Sequence, residues 1–244
     1  MDYARLADEI AIWMRDKLRE AHATGFVIGL SGGVDSAAVA ALCVRAAGEH
    51  VLGVWMPCHS VPEDLRFAQM AAEALGLELN SVDLSPVYDA FLTALPPGTD
   101  MARANLKPRL RMSAAYYLAQ SHNYLVAGTG NKPEIMVGYF TKYGDGGVDI
   151  EPLGELYKRE VRELARVLGV PQPIIERAPS PGLWPGQTDE GEMGITYAEI
   201  DAILAAWAAG TVPDLLPDRI AKVEGMVARS VHKRALPPFC PVER

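Results

Sequence analysis

The chain alternates between short apolar runs and longer segments with apolar residues at helical spacing. The run Val51–Met56 is apolar throughout, which is typical of a parallel strand covered on both faces. Strands are predicted at Gly25–Leu30, Val51–Met56, Leu77–Val82 and Tyr124–Ala127. Helices are predicted over residues 2–23, 36–47, 63–75, 86–95, 101–121, 156–168, 196–208 and 214–234. We expect Pro108 to break or start the fifth of these helices.

The alternation of strands and helices predicts an α/β fold, with a doubly wound parallel sheet flanked by helices. No linker or repeat divides residues 1–244, so we expect a single domain. Such sheets bind ligands at the carboxyl ends of their strands, where the strand order reverses. Two stretches, 141–147 and 178–195, lack periodicity, and Pro181 and Pro185 should stiffen the second. Long irregular segments are often functional lids, so we expect both to become ordered on substrate binding.

The most informative motif joins the first strand to the following helix. It reads Gly29-Leu30-Ser31-Gly32-Gly33-Val34-Asp35-Ser36. Glycines let the backbone approach an anion closely, and the N–H groups at the start of the helix converge on the same point. Ser31 and Ser36 add hydroxyl donors. The motif predicts a phosphate site, and an ordinary glycine-rich turn is the alternative.

An acidic residue stands close to the place where kinase-type phosphate loops carry a lysine. The Asp35 carboxylate would repel phosphates unless a cation lay between them, and it therefore implies Mg²⁺. The pattern resembles the loop Ser-Gly-Gly-x-Asp-Ser of enzymes that split ATP into AMP and pyrophosphate.

A second strand-to-helix turn, Gly128–Glu134, follows the fourth strand. Its Thr129 side chain can bond a nucleotide. Its Glu134 side chain can give the metal ion a second carboxylate, or it can merely compensate the helix dipole. Spacing alone does not decide between these two interpretations.

The composition indicates which binding partners and which cell compartment to expect. The 244 residues include 23 Lys and Arg against 31 Asp and Glu, a formal charge of −8, which argues against nucleic-acid binding. The 3 cysteines form neither a disulfide framework nor a metal-binding spacing, and a thiol nucleophile at Cys58 lacks an evident partner. Charges interrupt the N-terminal apolar pattern, and no run is long enough to cross a bilayer. We expect a cytoplasmic protein that binds neither nucleic acid nor membrane.

Several longer motifs, in order and spread over residues 3–238, resemble the NAD synthetase family. They are Gly138–Ile150, Pro152-Leu153, Leu156-Tyr157-Lys158, Gly182-Leu183-Trp184, Gly186–Ile195 and His232-Lys233-Arg234. The resemblance implies a Rossmann-like fold of the adenine nucleotide alpha-hydrolase type. It implies a reaction in which ATP adenylates the carboxylate of nicotinic acid adenine dinucleotide (deamido-NAD). Ammonia then displaces AMP to give NAD.

The resemblance also assigns roles to matching positions of this chain. The residues implied to bind ATP, a co-substrate, are Gly29–Ser36, Thr129, Lys158 and Ser180. Asp35 and Glu134 are implied to bind Mg²⁺, and Lys158 to neutralise charge on the phosphates. The residues implied to contact deamido-NAD are Arg109, Lys142, Asp149, His232 and Lys233. A solvated helix face is the alternative for Arg109 and for His232, and a turn is the alternative for Asp149.

Family members of this length are homodimers with the dinucleotide near the interface. The apolar stripes of 102–121 and 214–234 could face a partner, but they could equally be core. Longer members carry a glutaminase domain, for which this length leaves no room, so ammonia is the expected nitrogen donor. Two other functions stay open. One is another enzyme with the same loop, such as the ATP-splitting domain of GMP synthetase, and the other is a nucleotide sensor without catalysis.

Residues 141–147 and 178–195 should be cut less by protease when ATP and deamido-NAD are present together. A loop that closes over substrate no longer offers the extended, accessible backbone that a protease requires. Limited digestion with mass spectrometry of the cut sites measures this protection. Equal cleavage with and without both substrates would contradict the lid hypothesis.

Overall fold

A computed structural model describes residues 1–180, 182–184 and 186–242, so the expectation for Pro181 and Pro185 lies outside the described residues. The helices are α1 Tyr3–Glu20, α2 Val34–Ala47, α3 Pro62–Leu75, α4 Ser85–Ala94, α5 Asp100–His122, α6 Lys132–Val137, α7 Lys158–Val167, α8 Gln172–Glu176, α9 Asp189–Met193, α10 Tyr197–Ala208 and α11 Pro217–Arg229. The strands are β1 Gly25–Gly29, β2 Val51–Trp55, β3 Leu79–Ser81 and β4 Tyr124–Ala127. Within the described part of the chain, no helix combines the length and apolar character that a membrane span requires.

Four parallel strands form the sheet, in the order β3-β2-β1-β4. Ile28 of β1 pairs with Gly53 of β2 on one side and with Ala127 of β4 on the other. The chain moves outward from β1 through β2 to β3, and then returns to the far side of β1. The strand order therefore reverses between β1 and β4, which confirms the doubly wound α/β fold predicted from the sequence.

Side chains of β1 alternate between two cores, one on each face of the sheet. Phe26 and Ile28 pack in a cluster with α1, α2, α3 and α7. Val27 packs with Val54 and Val126 against α4 and α5. Because both faces are covered, nearly every strand position is apolar, and the helices hold the strand ends in fixed positions.

A third apolar cluster joins the C-terminal helices to α6. It contains Val137 of α6, Met193 of α9, Ile200 of α10 and Val223 of α11. Helix α10 also packs on α7. The C-terminal region is thereby fixed against two helices that begin beside the carboxyl end of the sheet.

Pro108 lies inside α5, and the prediction that it breaks or starts a helix there is wrong. Proline removes one backbone donor, but the surrounding turn is held by tertiary contacts. Ala104, Lys107 and Pro108 are buried, and Lys107 donates from Nζ to the Leu183 carbonyl at 2.8 Å. Packing thus outweighs the local preference of proline.

The C-terminal third is more segmented than predicted. Helix α11 ends at Arg229, and a 3₁₀ turn, Val231–Lys233, replaces the expected continuation. Two five-residue helices, α8 and α9, escape prediction, and α9 lies within the stretch expected to be irregular. One turn of helix has too few positions to show a hydrophobic period.

Replacing Gly138 with alanine should destabilise the fold more than the same change at Gly76. Both glycines end a helix in the left-handed region, with φ angles of +72° and +64°, where alanine costs roughly 1–2 kcal/mol. A Cβ at Gly138 would lie 2.1 Å from Ser230 Cβ, whereas one at Gly76 would meet none of the described residues within 4 Å. Overpacking should add about 1–3 kcal/mol at Gly138 alone. Urea unfolding measures the free energy of unfolding of both variants. Equal losses in the two would contradict the close contact between Gly138 and Ser230.

Candidate active site

The loop at 29–36 lies at the carboxyl end of β1, as predicted, and its own hydroxyl groups organise it. Ser31 Oγ accepts from the Gly33 N–H at 3.3 Å and lies 3.0 Å from Ser36 Oγ. Ser36 Oγ donates to the Gly33 carbonyl at 3.0 Å. Because the N-cap of α2 is Gly33, no side chain in the described part of the chain caps the first N–H groups of the helix. This arrangement suits an anion.

The turn after β4 meets the first loop because β1 and β4 are neighbours in the sheet. Asn131 caps α6, and its Oδ1 accepts from the Glu134 N–H at 3.2 Å. The Glu134 Oε2 accepts in return from the Asn131 N–H at 3.3 Å. The other end of the Asn131 amide, Nδ2, donates to Asp35 Oδ1 at 2.9 Å. One side chain thus fixes Glu134 and Asp35 relative to each other.

Lys158 brings the two predicted metal ligands together. Its Nζ lies 2.6 Å from Asp35 Oδ2 and 3.0 Å from Glu134 Oε1, and its side chain is only 2% exposed. A lysine at the start of a helix opposes the helix dipole. Asp201 of α10 compensates for this, because its carboxylate accepts from the N–H groups of Lys158 and Arg159 at 3.2 and 3.1 Å.

Burial and charge set the protonation of this cluster. Burial lowers the pKa of Lys158, but Asp35 and Glu134 outweigh it and raise that pKa above its usual value, so the ammonium form persists. Burial, with the charge of Asp35, raises the pKa of Glu134 against the opposing effect of Lys158. Tyr197 Oη lies 2.7 Å from Glu134 Oε1 and 2.6 Å from Asp189 Oδ2. Burial and these two charges raise the pKa of Tyr197.

The donor set fits Mg²⁺. Asp35, Glu134 and Asp189 contribute three carboxylates against the single ammonium of Lys158, and Asp189 Oδ1 has no hydrogen-bond partner among the described residues. A further cation would therefore be stabilised here. Mg²⁺ is commonly held by one or two carboxylates, with phosphate oxygens and water as its other ligands. Asp35 and Glu134 would supply that pair, and the described residues contain no group of three His, Cys, Asp or Glu suited to a metal.

A cavity of about 220 Å³ joins residues from all three predicted groups. Thr129 was assigned to ATP, Glu134 to the metal ion and Lys233 to the dinucleotide, and all three line it. The described residues that line it are Thr129, Gly130, Glu134, Ile135, Phe140, Asp145, Gly146, Glu151, Lys233 and Arg234.

Four of the five residues assigned to deamido-NAD are linked to one another. Arg109 donates to the Lys142 carbonyl at 3.4 Å, and Lys142 Nζ donates to the His232 carbonyl at 2.5 Å. Lys233, the next residue in the chain, donates from Nζ to the carbonyls of Gly138 and Phe140 at 2.7 and 2.6 Å. Burial lowers the pKa of Lys233. These contacts connect the segments that carry the four residues, and Lys233 also lines the cavity.

Asp149 lies elsewhere and holds the sheet. Its carboxylate accepts from Tyr116 Oη at 2.9 Å and from the Val126 N–H at 2.7 Å. It lines a different cavity of about 390 Å³, together with Tyr116 and Tyr124. These contacts agree with the structural alternative, and its role in dinucleotide binding stays a prediction. Ser180 Oγ accepts from the Gly182 N–H at 3.2 Å, and its contact with ATP also stays a prediction.

Sequence reasoning found the two acids and the lysine but missed the residues that hold them. Asn131 had a signal, since an amide three positions before a glutamate is typical of a helix N-cap. Tyr197, Asp189 and Asp201 come from α9 and α10, which reach the site only through tertiary packing. Asp189 lies in the family motif Gly186–Ile195 but was given no role, and no local pattern marks Tyr197 or Asp201.

Comparison with known proteins decides the family. The NAD synthase family profile matches residues 6–237. The NH(3)-dependent NAD(+) synthetase of Archaeoglobus fulgidus is 51% identical, over 99% of this chain and 98% of its own. The chain belongs to the NAD synthase family. The family resemblance inferred from the sequence motifs is thereby confirmed.

Solved structures agree in both fold and extent. The NMN synthetase of Francisella tularensis superposes with a TM-score of 0.92 at 37% identity, covering 99% of this chain and all of its own. The NH3-dependent NAD synthetase of Campylobacter jejuni, solved in complex with nitrate, has a TM-score of 0.85 at 31% identity over the same shares. This member of the NAD synthase family therefore matches both of these structures from end to end.

Glu151 lies beneath the second turn and carries a proton at neutral pH. Its Oε2 accepts from the Gly130 N–H at 3.0 Å. Burial, and then the charges of Glu134 and Asp145, raise its pKa from 4.5 to about 8, although the Gly130 bond opposes this. The folded protein therefore holds a proton that the unfolded chain releases near pH 4.5. Stability from this group is present at low pH and is lost as pH rises through about 8.

Glu151→Gln should remove this dependence on pH, since an amide keeps the acceptor but does not ionise. From pH 6 to pH 8.5 the variant should lose about 1–3 kcal/mol less unfolding free energy than the wild type. Urea unfolding at both values measures the difference. The control is Glu155→Gln, whose side chain is 90% exposed. If the unfolding free energy of Glu151→Gln falls with pH as steeply as that of the wild type, Glu151 is not the group responsible.

Proposed function

We propose that this protein is an ammonia-dependent NAD synthetase, a ligase that amidates deamido-NAD to NAD. ATP is its co-substrate, and AMP and pyrophosphate are its other products. The observation that carries the proposal is the meeting of Asp35, Glu134 and Lys158 at the carboxyl ends of β1 and β4. High identity to relatives named NH(3)-dependent NAD(+) synthetases supports the same reaction.

The chemistry requires positioning and charge neutralisation, and no side-chain nucleophile. A carboxylate is a poor electrophile, so its oxygen first attacks the α-phosphorus of ATP and pyrophosphate leaves. Ammonia then attacks the acyl carbon, the bond from that carbon to the phosphate oxygen breaks, AMP leaves with this oxygen, and the nitrogen loses a proton. Bringing the reactants together and offsetting phosphate charge can supply most of the required rate.

The residues of this chain divide that work. The N–H groups at the start of α2 and the hydroxyls of Ser31 and Ser36 would bind phosphate oxygens. Lys158, held as an ammonium by its two carboxylates, would offset the charge that develops on the phosphates. Asp35 and Glu134 would hold Mg²⁺, which supplies further charge neutralisation when it is bound. Thr129 and Lys233 would face the substrates across the 220 Å³ cavity.

A homodimer in the cytoplasm completes the proposal. Part of the stripe at 102–121 is core, because Ala115 and Ala119 are buried. Tyr117 of the same helix, however, is 73% exposed, as expected for a residue that a partner could cover. Sedimentation of the purified protein tests this part separately from the activity.

A second acid substrate deserves a parallel assay because of the similarity to an NMN synthetase. The same amidation applied to nicotinic acid mononucleotide would give NMN. That compound carries the same carboxylate and lacks the AMP half, so fewer of the residues assigned to the dinucleotide, such as Arg109 and Lys142, would contact it. The 51% identity to an NAD(+) synthetase favours the dinucleotide.

The deciding experiment measures AMP and NAD from ATP, Mg²⁺ and deamido-NAD, with ammonium or glutamine as nitrogen source. Formation of NAD when ammonium is the only effective nitrogen source supports the proposal. If nicotinic acid mononucleotide is converted faster than deamido-NAD, the mononucleotide is the substrate instead of the dinucleotide. ATP binding without AMP from either acid would favour the sensor, and AMP formation only with another acid would favour a different ligase with the same loop.

Asp35→Asn should reduce AMP formation about 100-fold or more, because it removes charge from the metal pair and from the Lys158 contact. The fold should persist, because the substitution leaves the apolar clusters unchanged; the single amide oxygen can still accept from one of the two donors, Lys158 or Asn131. Initial rates and circular dichroism are measured on the same samples. Asp8→Asn, an exposed change in the pair with Arg45, is the control. Unchanged turnover in Asp35→Asn would refute the metal assignment.

A further inference from the structure

Arg177, at the end of α8, reaches the phosphate loop from the side of α3. Its Nη1 donates to the Gly32 carbonyl at 3.4 Å, and its Nη2 lies 2.5 Å from Asp64 Oδ1. The guanidinium carbon lies 4.5 Å from the centre of the Phe67 ring. With these three contacts, the side chain is 23% exposed. None of the motifs assigned to ATP binding contains this residue.

The contact with Gly32 sets the direction of a peptide at the centre of the loop. The carbonyl and the following N–H of a trans peptide point in opposite directions. With the Gly32 carbonyl turned toward Arg177, the Gly33 N–H points into the loop, where it lies 3.3 Å from Ser31 Oγ. Gly32 has a φ of +81°, and a Cβ there would lie 2.7 Å from Phe67 Cβ, so the loop also presses directly on α3.

The same side chain anchors the segment that carries Ser180. That residue follows Arg177 by three positions, and Gly182 approaches Asp64, with its Cβ position 3.9 Å from Asp64 Oδ2. The Pro179 carbonyl accepts from the Asp189 N–H at 3.1 Å, which continues the segment toward the carboxylate cluster. Arg177 therefore ties two predicted ATP-binding segments to one helix.

We propose that Arg177 is a positioning residue for the nucleotide, acting through the Gly32 peptide and through Asp64. The inference rests on the proposed function only in taking ATP as the ligand of the loop. A guanidinium is required because its planar fork reaches two acceptors at once while its face stacks on Phe67. A lysine at this position keeps the charge but has a single nitrogen for both acceptors.

The test is the affinity for ATP with Mg²⁺, measured by calorimetry without the acid substrate. Arg177→Met should weaken ATP binding about tenfold or more, and Arg177→Lys should give an intermediate loss. The matched control is Arg66→Met. Arg66 stacks on the same Phe67 ring at 4.9 Å and carries the same charge, but it is 67% exposed and pairs with Glu63. Its loss should leave the affinity within about twofold.

Kinetics separate positioning from general damage. In Arg177→Met, the KM for ATP should rise with the binding loss, while the KM for deamido-NAD stays within about twofold. Wild-type ATP affinity in a folded Arg177→Met protein overturns the inference, as does an equal loss in Arg66→Met. Should the methionine variant not fold, wild-type affinity in Arg177→Lys overturns it equally. ATP binding by a wild-type protein that makes no NAD refutes the proposed function and leaves this inference intact.

Discussion

The architecture of the site depends on one buried ammonium group. Lys158 Nζ contacts carboxylates from the loop after β1 and from the turn after β4, so a single charge joins α2, α6 and α7. Taking charges out of water is costly, and the cost is recovered only when every partner is in place. Without the lysine, Asp35 and Glu134 would face each other across a space from which water is largely excluded. The two loops would then separate, or one acid would hold a proton.

This arrangement is supported from behind by α10. Asp201 holds the first N–H groups of α7, and Tyr197 holds Glu134, so one helix fixes both the lysine and one of its acids. The apolar cluster of Ile200, Val137 and Val223 attaches that helix to the rest of the protein. The C-terminal region is thus a scaffold for the centre of the site, even though its residues contact the sheet little.

The parts that sequence predicts well are those determined by neighbouring residues. The run at Val51–Trp55 and the helix at 34–47 carry their own apolar patterns, and the loop between Gly29 and Ser36 carries its own chemistry. Pro108 was misjudged because its helix is stabilised by burial rather than by its own backbone preference. Tyr197 and Arg177 could not be predicted, because each acts on atoms that lie far away along the chain. Asp189 lies in a family motif, but its approach to Glu134 depends on the position of Tyr197. The order β3-β2-β1-β4 explains why Asp35 and Glu134 could be paired in advance.

Tyr197 has a consequence for the number of protons in the site. Its single phenolic hydrogen lies between two carboxylate oxygens, 2.7 Å from that of Glu134 and 2.6 Å from that of Asp189. One hydrogen can be donated to only one of these two oxygens, so the two acids compete for a single donor. Burial raises the pKa of both acids, which is the direction that favours a shared proton between them. A cation bound at Glu134 would compete with protons for the same oxygens, so its affinity should depend on pH.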